Sequence, residues 1–157
     1  MTREEQFMHE AIKLARNGVE KNEGGPFGCV IVRGDEIVGR GNNKVTSTND
    51  PTAHAEVVAI RDACRNLNTF QLDDCEVYTS CEPCPMCLGA IYWARPKIVY
   101  FANSREDAAR IGFDDSLIYE EFGVDLEQRR IPIRSIGRDE ALKVFEMWKE
   151  KEDKIRY

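Results

Sequence analysis

The chain has 157 residues, 42% hydrophobic and 32% charged, which suits one soluble domain with a single core rather than two. Its formal net charge of −6 argues against a large nucleic-acid partner, because Lys and Arg contacts to phosphates dominate such binding. No apolar run approaches the ~18–20 residues of a membrane span, and the acidic start does not resemble a secretory signal. We therefore expect a cytoplasmic protein with no membrane partner.

The first predicted elements are a helix and a hairpin. Thr2 and Glu5 form a capping box at the start of the helix, apolar residues then recur at helical spacing, and Gly18 is the predicted stop. An apolar strand over 27–32 and a return strand over 37–43 follow, joined by a tight turn.

The rest of the chain alternates helices and strands. Asp50 and Pro51 predict the start of a second helix, with the aspartate as N-cap and proline at the first helical position. The later predicted elements are a strand over 75–80, a helix from Pro85, a strand over 97–102, a short helix over 104–111, an edge strand over 131–136 and a terminal helix from Asp139. This order predicts an α/β fold, with a mixed sheet of five strands between two helical layers.

The six cysteines fall into two groups. Without a visible export signal they favour thiols or metal ligands over disulfides. Cys29, Cys64 and Cys75 lie singly in apolar or helical contexts and are expected to be small buried side chains. The other three cysteines recur every third residue in TSCEPCPMC, so both CxxC pairs have the spacing of a metal or a redox site.

Two short motifs combine into one signature. HAE and, further along, PCPMC match the H-x-E…P-C-x-x-C pattern of the zinc deaminases. Either half occurs by chance, but both in this order, each at a predicted helix start, are specific. One neutral imidazole and two thiolates leave one position of Zn²⁺ open for water. We therefore predict His54, Cys84 and Cys87 as zinc ligands and Glu56 as the acid/base.

The positions of these residues constrain the site further. His54 and Glu56 lie two residues apart, roughly 200° around a helix, so they converge only if the metal caps the first helical turn. Pro83 and Pro85 bracket Cys84, which places it at a strand-to-helix elbow. The positive helix ends favour thiolate over thiol at such positions.

Two other interpretations of the cysteine run stay open. In a structural zinc site, Cys81 would be the fourth ligand and Glu56 would have no role. In a thioredoxin-like redox site, His54 would have no role either. Because Cys81 falls at the end of the predicted strand, before the elbow, we expect it to be a thiol near the site rather than a ligand.

The chain also resembles a known family over nearly its whole length. The matching stretches are GGPFG at 24–28, NDPTAHAE at 49–56, QLDDC at 71–75, YTSCEPCPMCLGAIYWARP at 78–96, GFDDS at 112–116 and the terminal Tyr157. They resemble the cytidine-deaminase-like zinc deaminases, and GFDDS and the final tyrosine favour the small bacterial guanine deaminases among them.

The resemblance implies a cytidine-deaminase-like three-layer α/β/α sandwich and one Zn²⁺ per subunit. It also implies hydrolysis of guanine, a small-molecule purine base, to xanthine and ammonia, with zinc-bound hydroxide attacking C2 and glutamate as proton shuttle.

The resemblance implies substrate-binding residues as well. Asn43 would hydrogen-bond the purine, Phe27 would stack on it, Trp93 would form part of the pocket wall, and Asp115 would read the polar edge of the base. Plainer interpretations stay open: Asn43 as a turn residue, Phe27 as core and Asp115 as a helix cap, with Asp114 able to serve equally.

The C-terminal segment 138–157 is predicted to belong to the same single domain, 1–157. The resemblance implies that it crosses to the partner of a homodimer by domain swapping, where Tyr157 closes over the partner's site. A helical tail with an apolar stripe is equally consistent with packing on its own subunit.

Other substrates and functions remain as alternatives. A tRNA adenosine deaminase shares the two motifs, but the segment 139–157 carries six acidic and five basic side chains, which makes it a poor phosphate clamp. A free base is therefore favoured over RNA. Deamination of cytosine, cytidine or adenine, and a non-catalytic zinc-stabilised binding module, also stay open.

Overall fold

The computed structural model describes all 157 residues, which fall into two compact units, Met1–Asp115 and Ser116–Tyr157. The elements of the first unit are α1 (Arg3–Glu20), β1 (Gly28–Arg33), β2 (Glu36–Asn42), α2 (Val45–Thr48), α3 (Ala55–Leu67), β3 (Cys75–Cys81), α4 (Pro85–Ala94), β4 (Ile98–Asn103) and α5 (Arg105–Arg110). Those of the second unit are α6 (Ser116–Glu121), a 3₁₀ turn (Leu126–Gln128) and α7 (Arg138–Glu150). No helix combines the length and apolarity needed to cross a bilayer.

The sheet is mixed, as predicted, and its strand order is β2-β1-β3-β4. β1 is antiparallel to both β2 and β3, whereas β3 and β4 run parallel. It has four strands rather than five, so the prediction of an edge strand over 131–136 is wrong. Pro132 has no N–H to give to a ladder, and the Ile133 N–H instead bonds to the Leu126 carbonyl at 3.0 Å within the second unit.

Helices cover both faces of this sheet, which confirms the three-layer α/β/α prediction. Side chains along β1 alternate between two core clusters. Val30 and Val32 pack with Ala11 of α1 on one face, and Cys29 and Ile31 pack with the alanines of α3 on the other. Since both faces are apolar, β1 reads as a continuous hydrophobic run rather than an alternating one.

Three isolated cysteines occupy this core. Cys29 and Cys75 are fully buried and Cys64 is half-buried against the same cluster, as expected from the sequence. Burial raises the pKa of all three thiols, in the case of Cys75 to about 12. They are neutral packing residues and take no part in the cluster around Cys84.

Two helix boundaries differ from prediction. The capping box of Thr2 and Glu5 starts α1 as expected, but Gly18 does not end it. Gly18 is buried inside α1, where a Cβ would lie 2.7 Å from Nδ2 of Asn42. The glycine therefore permits close packing rather than a helix stop.

The predicted helix start at Asp50 and Pro51 is also wrong. Oδ1 of Asp50 accepts from both the N–H and the hydroxyl of Thr52, which makes a local turn instead of a helix cap. α3 begins at Ala55, and His54 is its N-cap.

Glycines on β2 let α3 lie unusually close to the sheet. A Cβ on Gly41 would be 2.3 Å from the carbonyl oxygen of Ala55, and one on Gly39 would be 2.6 Å from that of Ala59. Neither position has room for a side chain. The first turn of α3, and with it His54 and Glu56, is therefore positioned by direct backbone contact with β2.

Gly41→Ala is predicted to destabilise the fold by about 1–3 kcal/mol, because the new methyl group must push α3 off the sheet. Urea unfolding measures this change. Gly123→Ala is the control, since its Cβ would meet only the Glu120 oxygen at 3.7 Å, and it should stay within about 0.5 kcal/mol of the parent protein. Equal stability of the two variants would contradict the close-approach account.

Candidate metal centre

Two helix N-termini bring the three predicted ligands together. His54 is the N-cap of α3 and Cys84 is the N-cap of α4, both with extended backbone. Neither side chain makes a capping hydrogen bond to its own helix, so both are free to face a shared centre. Pro85 at the first helical position of α4 starts the helix directly after Cys84, and Cys87 follows one turn on.

The donor atoms have the spacing of ligands on one ion. Nδ1 of His54 lies 3.5 Å from Sγ of Cys84 and 3.5 Å from Sγ of Cys87. All three atoms lie within 4.8 Å of one another. Nitrogen and sulfur ligands at ~2.0 and ~2.3 Å from a tetrahedral zinc are themselves about 3.5 Å apart. The residues present therefore fit Zn²⁺.

The two cysteine sulfurs of this group are electrostatically coupled. The Cys87 thiol donates a hydrogen bond that lowers the pKa of Cys84 to about 4, and His54 acts in the same direction against the cost of burial. The same hydrogen bond, together with burial, raises the pKa of Cys87. His54 has a raised pKa because it bonds to Cys84. The three donor groups thus interact directly, and a bound cation would take both sulfurs as thiolates.

Cys81 lies outside the donor group. It is 5% exposed at the end of β3, and its Sγ donates to the carbonyl of Ser104 at 3.7 Å. Burial raises its pKa to about 11, so this thiol is neutral. The close group has three members, which is the ligand number of a catalytic rather than a structural zinc site.

Glu56 is a buried carboxylate beside these donors. It lies in the first turn of α3, is 6% exposed, and bonds closely enough to Cys87 to raise the pKa of that thiol. Its Oε1 accepts a 2.6 Å hydrogen bond from the hydroxyl of Thr79 on β3. Thus His54 and Glu56 do converge at a helix N-terminus, although the helix begins four residues later than predicted.

Thr79 is a site residue that the sequence analysis missed. The signal available was the period of two along β3, which puts Val77, Thr79 and Cys81 on one face of the strand. Nothing in the sequence pairs that face with Glu56, because the contact joins residues 23 positions apart.

Asn43 is buried and its amide orientation is determined by its contacts. Oδ1 accepts from the backbone N–H of Gly25 at 3.3 Å and of Val45 at 3.1 Å. The Nδ2 hydrogens are consequently left to donate to another group. Asn43 is therefore both a loop-organising residue and a potential donor to a ligand, so the two sequence interpretations are compatible.

Phe27 lies at the edge of the core with a second aromatic ring against it. Its ring centroid is 5.0 Å from that of Phe113, with the planes at 88°. A Cβ on Gly25 would be 3.1 Å from both rings, so the glycine allows this edge-to-face pair to form. Phe113 was not predicted as a site residue, although it stands in the GFDDS stretch.

The three remaining predicted substrate residues differ from Asn43 in that they are more exposed to solvent. Asp115 is half-buried, which raises its pKa, and the charge of Cys84 acts on it in the same direction. Its carboxyl group is thus within electrostatic reach of the donor group. Trp93 is 63% exposed on α4. Tyr157 is 71% exposed in the second unit, and its role at a partner's site stays a prediction.

Comparison with known proteins agrees with this geometry. Residues 1–103 match the family model for the cytidine and deoxycytidylate deaminase zinc-binding region. The chain belongs to this family. Zn²⁺ is its cofactor, and the matched segment contains His54, Cys84 and Cys87.

Individual family members differ in how closely they match. Guanine deaminase of Bacillus subtilis (strain 168) is 54% identical over 153 residues, which cover 98% of each chain. The X-ray structure of guanine deaminase from Bacillus subtilis superposes with a TM-score of 0.94, again over 98% of each chain. A tRNA-specific adenosine deaminase of Buchnera aphidicola subsp. Schizaphis graminum is 35% identical over 144 residues, 91% of each chain. The resemblance predicted from the sequence is confirmed.

We predict that Cys81→Ser retains about one zinc per chain, whereas Cys87→Ser loses most of its zinc. The reason is that only Cys87 of the two places its sulfur among the close donor atoms. Metal analysis of the purified variants measures the difference. A zinc-free Cys81→Ser protein would show that the ligand set had been wrongly chosen.

Proposed function

We propose that the protein is a guanine deaminase that hydrolyses guanine to xanthine and ammonia with the help of zinc. The observation that carries this proposal is the buried carboxylate of Glu56 beside a group of three metal-donor atoms. A donor group alone would serve a structural ion, but a buried carboxylate next to it provides a proton carrier. The choice of guanine is supported by 54% identity to a guanine deaminase over nearly the whole chain.

His54, Cys84 and Cys87 would hold the metal in this proposal. When bound there, Zn²⁺ supplies the Lewis acidity that lowers the pKa of a water molecule toward ~7. Three protein ligands leave one coordination position for that water. The N-termini of α3 and α4 add positive potential at the same place and favour the anionic form of the thiols.

Glu56 moves the protons of the reaction. It takes one proton from the attacking water and delivers it to a ring nitrogen of guanine. It then takes the second proton of that water from the oxygen now bonded to C2 and passes it to the amine that leaves C2. Because the side chain is only 6% exposed, the proton passes between reactants instead of exchanging with bulk water. The bond formed is C2–O and the bond broken is C2–N, so guanine and water give xanthine and ammonia.

Three further residues would orient the base. Nδ2 of Asn43, which its loop contacts leave free to donate, binds an acceptor on the purine. Phe27 stacks on the ring, and Phe113 holds Phe27 in place edge-on. Asp115 accepts from N–H groups on the polar edge of the base. Together they would give a planar ligand one stacking surface, a hydrogen-bond donor and a hydrogen-bond acceptor.

We also propose that the active form is a homodimer with exchanged C-terminal segments. No side chain of the second unit is buried, and α7 exposes Phe145 and Met147 by more than 70%. α4 is apolar all round and exposes Tyr92 and Trp93. Exposed apolar surface of this extent marks an interface. In the proposed dimer, 138–157 packs on the partner and Tyr157 closes over the partner's site.

The cytosol is the proposed location. All six cysteines are free thiols, including the half-buried Cys64 and Cys84. Thiols persist in reducing compartments, whereas an oxidising compartment favours disulfides.

We expect ammonia release from guanine, and far less from adenine, cytosine, cytidine or tRNA, in an assay of the zinc-loaded protein. Glu56→Gln should keep its zinc and lose about 10²–10⁴-fold in kcat, because the amide cannot carry a proton. Activity on tRNA or cytosine without activity on guanine would overturn the substrate assignment. Loss of zinc in Glu56→Gln would make the residue a ligand instead.

Deletion of Tyr157 is predicted to reduce kcat/KM for guanine by at least ~10-fold with zinc and dimer retained, because the site loses its cover against water. Tyr157→Phe, which keeps the ring, is the matched variant and should retain most of the activity. Kinetics together with light scattering measure both effects. An unaffected deletion variant would remove the proposed closing role.

A further inference from the structure

The hydroxyl of Thr79 donates a hydrogen bond to the carboxylate of Glu56. We propose that Thr79 is a positioning residue: it holds Oε1 of Glu56 and thereby leaves Oε2 as the oxygen that carries the proton. This inference rests on the proposed function, in which Glu56 is the proton carrier. It adds a residue to the reaction that lies outside the H-x-E and P-C-x-x-C motifs.

The position of Thr79 in the sheet makes it a rigid support. It lies in β3, an inner strand, opposite Cys29 of β1 on one side and Phe101 of β4 on the other. Its side chain is fully buried. A hydroxyl held by two neighbouring strands has little freedom, so the carboxylate oxygen bonded to it is restrained equally.

The direction of the hydrogen bond follows from the chemistry of its partners. An ionised carboxylate only accepts, so the hydroxyl of Thr79 must use its single hydrogen on Oε1. The distance of 2.6 Å lies in the range of a charge-assisted O–H···O⁻ bond. Because Oε1 already accepts this hydrogen, Oε2 is the oxygen left to exchange protons with the reactants.

A purely structural role for this bond makes a different prediction. Buried polar groups generally need partners, and a bond that only satisfies this need changes stability without changing the chemical step. The adjacent Ser80 is such a case. It is 3% exposed, and its Oγ accepts from the N–H of Gly28 at 3.0 Å, away from Glu56. Ser80 thus provides a matched control one residue along the strand.

The test compares Thr79→Val, which keeps the shape but removes the hydroxyl, with Thr79→Ser, which keeps the hydroxyl. For Thr79→Val we expect kcat for guanine to fall about 10- to 100-fold, the effect of losing a hydrogen bond to a charged group, with KM changed by less than about threefold. Thr79→Ser should recover most of that loss. Ser80→Ala should keep the parent kcat even if its melting temperature falls. Zinc content should stay at about one per chain in every variant.

The outcomes separate this inference from the proposed function. If the parent protein releases no ammonia from guanine, the proposed function fails. If the parent is active and folded Thr79→Val matches it in kcat, Thr79 is structural and the inference is overturned. An equal loss in Thr79→Ser and Thr79→Val would also overturn it, because the hydroxyl would not be responsible. Should Thr79→Val not fold, Thr79→Ala removes the same hydroxyl without adding a methyl group against Glu56, and the same criteria apply.

Discussion

The central constraint on this fold is that one imidazole nitrogen lies 3.5 Å from each of two sulfur atoms. That spacing requires the N-termini of α3 and α4 to meet, because His54 and Cys84 are the caps of these helices. The N-terminus of α3 can lie there because glycines on β2 leave room for its backbone against the strand. The N-terminus of α4 lies there because Pro85 begins a helix directly after Cys84. A change in either approach would separate the donors.

The strand β3 connects the group of donor atoms to the buried carboxylate of Glu56. Cys81 ends the strand, and the chain then turns at the elbow to present Cys84. Thr79, two residues earlier and on the same face, bonds to Glu56. A buried carboxylate is costly unless it is hydrogen-bonded, and here the helix N-terminus and the threonine hydroxyl offset that cost. One strand and two helix ends thus position both the three donor atoms and the proposed proton carrier.

The sequence was sufficient for the motif residues and for most of the sheet, because these depend on local spacing. Alternation of apolar runs and helical patterns predicted the four strands that form, and the two motifs predicted which donors would meet. Predictions from the sequence were wrong where one residue type can play two structural roles. Gly18 resembles a helix stop but allows packing against Asn42, and Asp50 resembles a helix cap but closes a turn with Thr52.

Other features depended on contacts that no short window reveals. The segment 131–136 has an apolar composition typical of a strand, but Pro132 leaves a gap in any ladder and the segment pairs with nothing as a strand. Thr79 and Phe113 meet their partners only after the sheet and its connecting loops assemble. Residues of this kind become visible from the structure alone, because their roles come from tertiary distance.

The central claim is that His54, Cys84 and Cys87 are the whole protein ligand set, which leaves one position open for the reaction. Zinc K-edge X-ray absorption on the purified protein counts these ligands directly. We expect two sulfur ligands at ~2.3 Å, one imidazole nitrogen at ~2.0 Å and one further oxygen ligand from solvent. Three sulfur ligands would mean that Cys81 closes the site, and a closed site would contradict the catalytic role proposed for this metal centre.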